Sequence, residues 1–386
     1  MMLTFLNLIA VSGILVGLIE GMERSVRAES LGDIMLSDKA DEDDILNTDQ
    51  ILRELAAFPE ISAYSVRYKG AATLEANYKE RRDLTAERDI ASVTVTGIDP
   101  ILEEKMSHLS KNLVEGEYLD PDQEGYILIG AYYIERYAQQ FGDIFDSLEG
   151  VVPGDTVRLS IGNISKEFII KGIIQSKVDE ISLNTYIPER EFRRLFNRLD
   201  KNADQIVMRV QEGTDENKVK LTLIANGFDK YAKIQTYDEA KPKFVTDIKK
   251  TFNTLGTFIG SIGIVVASIT IFIIIFINAL SRRQQIGILK GIGIERRVIE
   301  VAYVFQAAFY AFIGSGLGAL FTYSFLVPFF EENPIAFPFS DGILVAPVDE
   351  TIIRFVVLFI ITLIAGFLPA WIIVKQNTLN SILGRK

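Results

Sequence analysis

Apolar residues are gathered in long blocks at the two ends of the chain, leaving a charged middle. Thr257 to Leu280 carries no charge, and at ~1.5 Å rise per residue it more than covers a hydrocarbon core of ~30 Å. Val301 to Phe330 is also uncharged. Phe355 to Val374 is a third such run, ending at Trp371 and Lys375, where an interfacial aromatic and a snorkelling amine belong. Met2 to Ile19 is a fourth candidate, slightly short and interrupted by Asn7, Ser12, Gly13 and Gly17. Its rival reading is a cleaved signal peptide. That reading lacks a Lys or Arg before the apolar core and a clear small-residue cleavage site before Glu20 and Glu23, so a retained span is expected. The pattern predicts transmembrane helices over 1–19, 251–280, 301–330 and 351–375. Between them lie a large domain over 20–250, a loop over 281–300 and a short loop over 331–350, with a tail over 376–386.

The middle shows both periodicities. Val157, Leu159 and Ile161 alternate with Thr156, Arg158 and Ser160. Gly162-Asn163 then offers a two-residue turn into Phe168 and Ile170, which predicts a hairpin. Asn47 and Gln50 make a capping box ahead of Ile51, Leu52, Leu55 and Phe58, and Pro59 closes that helix before a strand over Ser62 to Tyr68. The order recurs late in the segment. Ile206, Met208 and Val210 alternate, a helix runs from about Thr214 to Ala225 and stops at Gly227, and a strand lies near Lys233 to Thr236. The expected class is therefore an α+β membrane protein. Its large extracytoplasmic domain is mixed α/β, with two βαβ-like halves flanking a β-rich insertion, and the halves are placed to pack together at the base.

Charge sets the orientation. Ser281 to Glu300 carries Arg282, Arg283, Lys290, Arg296 and Arg297 against Glu295 and Glu300, whereas Glu331 to Glu350 has acids and no Lys or Arg. The tail is basic again, with Arg385 and Lys386. Basic loops mark the cytoplasm, so both termini are expected there and the large domain on the far side of the cell (inner) membrane. Residues 20–250 hold roughly 44 carboxylates against roughly 31 Lys and Arg, which argues against nucleic acid as a partner and suits an exposed, soluble domain. The chain of 386 residues has no cysteine, so that domain has to fold on its own core without disulfides.

The loop reads SRRQQIGILKGIGIERRVIE, with Ile286, Leu289 and Ile292 at helical spacing and Gly287, Gly291 and Gly293 interleaved. As physics alone, a short amphipathic helix between spans either lies in the lipid interface or docks on a partner. The stretch resembles the hallmark of the FtsX/MacB-type ABC transporter permeases through Arg282, Arg283, Ile286, Gly287, Ile288, Leu289, Lys290, Ile292 and Gly293. Gln285 stands where that family usually has Glu, and Gly291 where it often has Ala. Gly314, Gly316 and Gly318 resemble the family's glycine-rich span, the spacing of Gly314 and Gly318 suiting close helix approach. Pro369-Ala370 followed by a polar tail and Leu383 resembles its C-terminal end. Residues 251–386 would then form the FtsX-like permease domain. Val95 to Leu119, and Ile170 to Pro188 with Gly172, Asp179, Glu180 and Tyr186, resemble the lipoprotein-releasing (LolC/LolE-type) branch. Relatives begin with a basic amphipathic helix before the first span. This chain starts in the span, and a truncated start is the reading adopted.

No phosphate-cradling Gly-x-x-x-x-Gly-Lys-Ser/Thr occurs in the sequence. The resemblance implies that a separate ABC ATPase subunit binds ATP and Mg²⁺, this chain being neither an enzyme nor the holder of a cofactor. It also implies a second permease copy, membrane lipid around the spans, and mechanotransmission. In that mechanism ATPase closure is felt at Gln285 to Arg296 and passed through a stalk at Gly21 to Glu29 and Lys241 to Thr254. Ile286, Leu289 and Ile292 are expected to fill a groove on the ATPase, with Arg282, Arg283, Lys290, Arg296 and Arg297 giving register. The function expected is lipoprotein release or export of an amphiphilic substrate, with a lipoprotein or an extracytoplasmic acceptor protein as a further partner. A transmembrane signaller that activates an envelope hydrolase is the alternative, and a membrane-anchored binding protein without an ATPase a third reading. The single His108 is read as a surface residue in a polar helix. The run Asp41, Glu42, Asp43, Asp44 lacks EF-hand spacing and is read as solvated charge, so no metal site is expected. Asn278 is expected to bond to a neighbouring helix.

Overall fold

The structure, a computed structural model, describes all residues except 41, 80–87, 140–145, 334, 338, 339, 343 and 376–386. Asp41 of the acidic run and Leu383, Arg385 and Lys386 of the tail lie outside the described residues. The chain divides into two compact units, one formed by Met22–Lys243 and the other by Met1–Gly21 with the chain from Phe244 onward.

The first long helix, α1 (Met2–Val26), passes into a π-helical turn at Arg27–Leu31. There follow β1 (Ile34–Ser37), α2 (Thr48–Leu55), β2 (Ile61–Glu75), β3 (Ile90–Ile98), α3 (Pro100–Ser107), β4 (Leu113–Gly116), β5 (Tyr126–Gly130) and α4 (Glu135–Ala138). Next come β6 (Thr156–Ile161), β7 (Ile164–Ile174), α5 (Asp179–Ser182), β8 (Asn184–Pro188), α6 (Glu189–Leu195), β9 (Gln205–Val210), α7 (Glu216–Ala225), β10 (Lys233–Thr236) and α8 (Tyr237–Ala240). Local chemistry explains several boundaries. The Asp99 carboxylate accepts from the N–H groups of Ile101 and Leu102, with Pro100 at the first helical position of α3. β6 and β7 form a hairpin closed at Ile161 and Ile164, with Gly162 at φ 54° in its turn. Asp215 caps α7, and Gly227 at φ 84° follows its end.

Two local expectations are corrected. Asn47 makes no side-chain cap and takes a left-handed φ of 55°, so the capping box with Gln50 does not form. The box occurs instead at Thr236 and Glu239 of α8. His108 lies not within a helix but at the end of α3, at φ 53°.

The two βαβ segments share one sheet. β1-α2-β2 and β9-α7-β10 interleave in the antiparallel order β10-β1-β9-β2, the split-βαβ arrangement. The intervening strands join the same sheet, and they do so through β2. Residues 61–67 of β2 pair with β9, 67–75 with β3 and 73–75 with β6. Since β3 pairs with β8, β8 with β5, β5 with β7 and β7 with β6, the strands β2-β3-β8-β5-β7-β6 close into a ring. The main core lies along both parts and includes Leu36, Ile51, Leu74, Phe168, Phe192 and Phe228. A second core takes in Val26 and Leu31 at the end of α1 with Ile98, Leu128, Ile174 and Tyr186.

The other unit is helical. It contains α9 (Lys243–Ser281), α10 (Arg283–Gly291) and α11 (Arg296–Phe321), which runs through a π turn (Thr322–Leu326) into α12 (Val327–Glu332). A short hairpin of β11 (Ile335–Phe337) and β12 (Ser340–Gly342) leads to α13 (Val348–Val374). Among the described residues, four helical runs are long and apolar enough to cross a membrane: Met2–Leu31, Lys243–Ser281, Arg296–Glu332 and Val348–Val374. Their outward faces are apolar, with Phe258, Ile262, Phe305, Phe312 and Ile353 exposed, a surface suited to lipid rather than water.

Candidate functional site

The site begins where α9 stops at Ser281 and Arg282 turns the chain, at φ −101° and ψ 13°, into the nine-residue α10. α10 ends in a Schellman motif. Gly293 sits at φ 99°, its N–H donates to the Lys290 carbonyl at 3.1 Å, and the N–H of Ile294 donates to the Leu289 carbonyl at 3.1 Å. Gly293 is therefore the residue that lets the chain reverse, after which Glu295 and Arg296 start α11. A Cβ on Gly291, by contrast, would meet open space, so Ala in that place has room.

Two anchors pin α10 to the long helices. Ile286 is buried among Ile275, Ala279, Ile299, Tyr303 and Ile373, and Gly287 beside it is also buried. Lys290 Nζ donates to the Val374 carbonyl at the end of α13, at 3.0 Å. Burial, followed by the nearby charge of Arg296, lowers the Lys290 ammonium below its ordinary pKa.

These anchors correct the sequence reading. Ile286 is not available to a partner, and the apolar side chains α10 turns outward are Ile288 (55% exposed) and Ile292 (72%), with Leu289 (37%) at the margin. The stripe has i, i+4 spacing from Ile288, a residue the 286–289–292 reading missed because a nine-residue helix shows too few turns to fix its face. Arg282, Arg296 and Arg297 are exposed and make no ion pair among the described residues, and Gln285 is exposed beside them. Arg283 is half-buried.

Behind α10 lies a cavity of about 610 Å³ whose polar lining comes from Asn278, Arg282, Gln285, Tyr303, Gln306 and Tyr310. Gln306 donates to the Tyr310 hydroxyl at 2.9 Å, and Asn278, which lines this cavity, makes no hydrogen bond to a neighbouring helix among the described residues. Farther along α11, a Cβ on Gly314 would lie 2.4 Å from Met1 Cβ, and one on Gly318 would lie 3.1 Å from Phe5, so both glycines admit α1. Gly366 of α13 does the same for Ala307, and Pro369 lies buried inside α13. Among the described residues no cluster of His, Cys, Asp or Glu could hold a metal, and Asp44 of the acidic run pairs with Arg198 at 2.5 Å.

Four apolar helices, a mixed α/β domain between the first two, and a basic, glycine-punctuated α10 between the second and third make up the chain, and both its parts are similar to known proteins. Residues 6–224 match the MacB-like periplasmic core domain, and residues 257–378 match the FtsX-like permease C-terminal domain. Two macrolide export ATP-binding/permease proteins MacB from Campylobacter jejuni subsp. jejuni, serotypes O:23/36 and O:2, are 22% and 23% identical over 256 residues. Each match covers 62% of this chain and 38% of the relative, so the chain spans well under two thirds of those proteins. Among solved structures, the periplasmic region of MacB from Actinobacillus actinomycetemcomitans is similar at 14% identity and a TM-score of 0.39, over 55% of this chain and 92% of that one. The extracellular domain of the noncanonic ABC-type transporter YknZ from Gram-positive bacteria gives 10% and 0.36, over 53% and 98%. The core-domain match alone takes in more than half of the sequence, and the permease match supplies the helices that follow: the chain belongs to the FtsX/MacB-like family of ABC transporter permeases.

Proposed function

We propose that the chain is the permease subunit of a mechanotransmission-type ABC transporter, driven by a separate ATPase that binds ATP and Mg²⁺ and working beside a second permease copy. In this reading both termini and α10 face the cytoplasm, and the mixed α/β domain stands on the far side of the inner membrane. ATPase closure then displaces that domain without moving substrate through the bilayer. The domain boundaries follow the same scheme, with 20–250 as the moving head and 251–386 as the permease domain. The substrate class is a lipoprotein or another amphiphile, handed to an extracytoplasmic acceptor.

The observation that carries this reading is the construction of α10. Ile288 and Ile292 face outward beside the exposed Arg296 and Arg297 at the start of α11, while Ile286 and Lys290 fasten α10 to the helices behind. A surface helix anchored in that way transmits a push from a partner instead of absorbing it. The test is affinity purification in mild detergent with identification of the co-purifying ATPase and any lipidated cargo. It is followed by the Arg296→Glu/Arg297→Glu variant, which should retain its fold and lose ATPase binding. Co-purification of an envelope hydrolase without cargo would favour signalling, and full ATPase binding by the variant would overturn the assignment of α10.

A further inference from the structure

The end of α1 is held by side chains at every residue of its π turn. The Arg27 guanidinium pairs with Asp33 at 2.6 Å and Glu216 at 2.7 Å. The Ala28 carbonyl accepts from Arg209 Nη2 at 2.9 Å. The Glu29 carboxylate accepts from Asn112 at 2.9 Å and Ser176 at 2.6 Å. The Ser30 carbonyl accepts from Arg67 Nη1 at 2.6 Å, and the Ser30 hydroxyl donates to Glu180 at 2.7 Å. Leu31 is buried in the second core, and the turn ends at Gly32, φ 67°, whose N–H donates to the Arg27 carbonyl at 2.9 Å. A Cβ there would lie 2.5 Å from the Met208 carbonyl oxygen, so the chain lies directly against β9 as it leaves the helix.

The last carbonyls of a helix lack internal partners and carry the negative end of its dipole. Here two of them are taken by guanidiniums, one from β2 and one from β9, adjacent strands of the sheet. Arg67 can serve there because Glu103 neutralises it with two bonds, at 3.0 and 2.6 Å, while Ser65 and Ser107 each donate to Glu103 at 2.7 Å. A buried ion pair is no requirement for stability, since apolar replacements are commonly neutral. What this pair supplies that apolar residues would not is a rigid donor on the backbone of α1. The chain's return toward α9 is built differently. Lys241 is extended, at ψ 138°, and precedes Pro242, which breaks the helical path between α8 and α9. This return is tied to α1 at Glu23, whose carboxylate accepts from Lys241 Nζ at 3.2 Å and whose carbonyl accepts from the Tyr237 hydroxyl at 3.0 Å.

We infer that Arg67 and Arg209 are positioning residues, with Glu103 as the support of Arg67. They lock the end of the first long helix to β2 and β9, so that displacement of α1 enters the α/β domain through these two strands. The inference rests on the proposed mechanotransmission for its use, though the lock itself is tested without it.

The chain has no cysteine, so spin labels can be placed at will. The full chain in lipid nanodiscs would carry labels at Arg24→Cys and Lys105→Cys, both exposed. A control pair inside the domain would use Glu117→Cys and Glu212→Cys. Distance distributions from double electron–electron resonance should be narrow for both pairs in the parent. The Arg67→Met/Glu103→Met background should widen the first roughly twofold and leave the control unchanged. An unchanged first distribution overturns the inference. If the control pair also widens, the domain has lost its fold, and Arg209→Met decides: it removes only the donor to Ala28 and has to widen the first pair, and a narrow distribution there overturns the inference. A parent whose two distributions stay narrow but whose domain never moves on adding the ATPase and nucleotide would defeat the proposed function and leave the lock standing.

Discussion

The ammonium of Lys290 lies 3.0 Å from the carbonyl oxygen of Val374, joining the last turn of α10 to the last turn of α13. A cation at a helix C-terminus is worth ~0.3–1 kcal/mol, and more when partly buried. Lys290→Met should lower the thermal midpoint of the full chain in detergent slightly, and Lys290→Glu more, because a carboxylate then faces a carbonyl. Equal midpoints for the parent and Lys290→Glu would show that the contact is not maintained. Charge reversal at Lys290 thus probes an internal staple, whereas reversal at Arg296 and Arg297 probes docking.

The two glycines of α10 should respond in opposite ways. Gly291→Ala has space and improves helix propensity by up to about 1 kcal/mol. Gly293→Ala forces a left-handed conformation on a residue with a Cβ, at a cost of roughly 1 kcal/mol. Amide hydrogen exchange over 283–295 should slow in the first and quicken in the second. The reverse order would contradict the Schellman ending.

Gly366 sets the approach of α13 to α11. A Cβ there would stand 2.4 Å from Ala307 Cβ, so Gly366→Val should destabilise this packing by about 1–3 kcal/mol. Ala307→Gly in the same chain should recover part of the loss. Thermal unfolding of the single and double variants measures the coupling, and purely additive losses would refute the contact.

The buried Glu103 makes the α/β domain sensitive to acid. Burial alone would raise its pKa, but the charge and hydrogen bonds of Arg67, with those of Ser107 and Ser65, outweigh burial and hold it below the ordinary 4.5. A carboxylate depressed on folding contributes stability that is complete above its unfolded pKa and is lost as pH falls through the lowered value. Melting of the full chain should therefore be insensitive to this group from pH 7 to about 4.5 and decline below that. Glu103→Gln leaves Arg67 buried without a counter-charge, so its plateau should be lower by about 3 kcal/mol and its acid decline shallower. Parallel pH profiles for the two chains would exclude the role given to Glu103.

The sequence was most readable where the signal is local. Uncharged runs such as Thr257 to Leu280, the Gly162-Asn163 turn and the stop at Gly227 each depend on neighbouring residues, and each appears in the structure. The sheet was harder to read because its pairings are distant. Nothing near Ile34 announces Met208 as its partner, and nothing in β2 shows that residues 73–75 leave β9's side of the sheet for β6. The grip on Ala28 and Ser30 joins positions too far apart for any periodicity to reveal. In α10 the residue types are legible and the facing is not: Ile286 stands at helical spacing with Leu289 and Ile292, yet it is buried against the long helices.

Because β2, β3, β8, β5, β7 and β6 close on themselves, the ten-stranded sheet has, among the described residues, two strands with a single neighbour, β10 and β4, each four residues long. Such short margins give an incoming strand little to zip onto, which protects a β-rich domain from self-association. Proteins that recognise this domain are therefore expected to read its side chains and loops, and an extended peptide added as an eleventh strand would be a poor ligand for it.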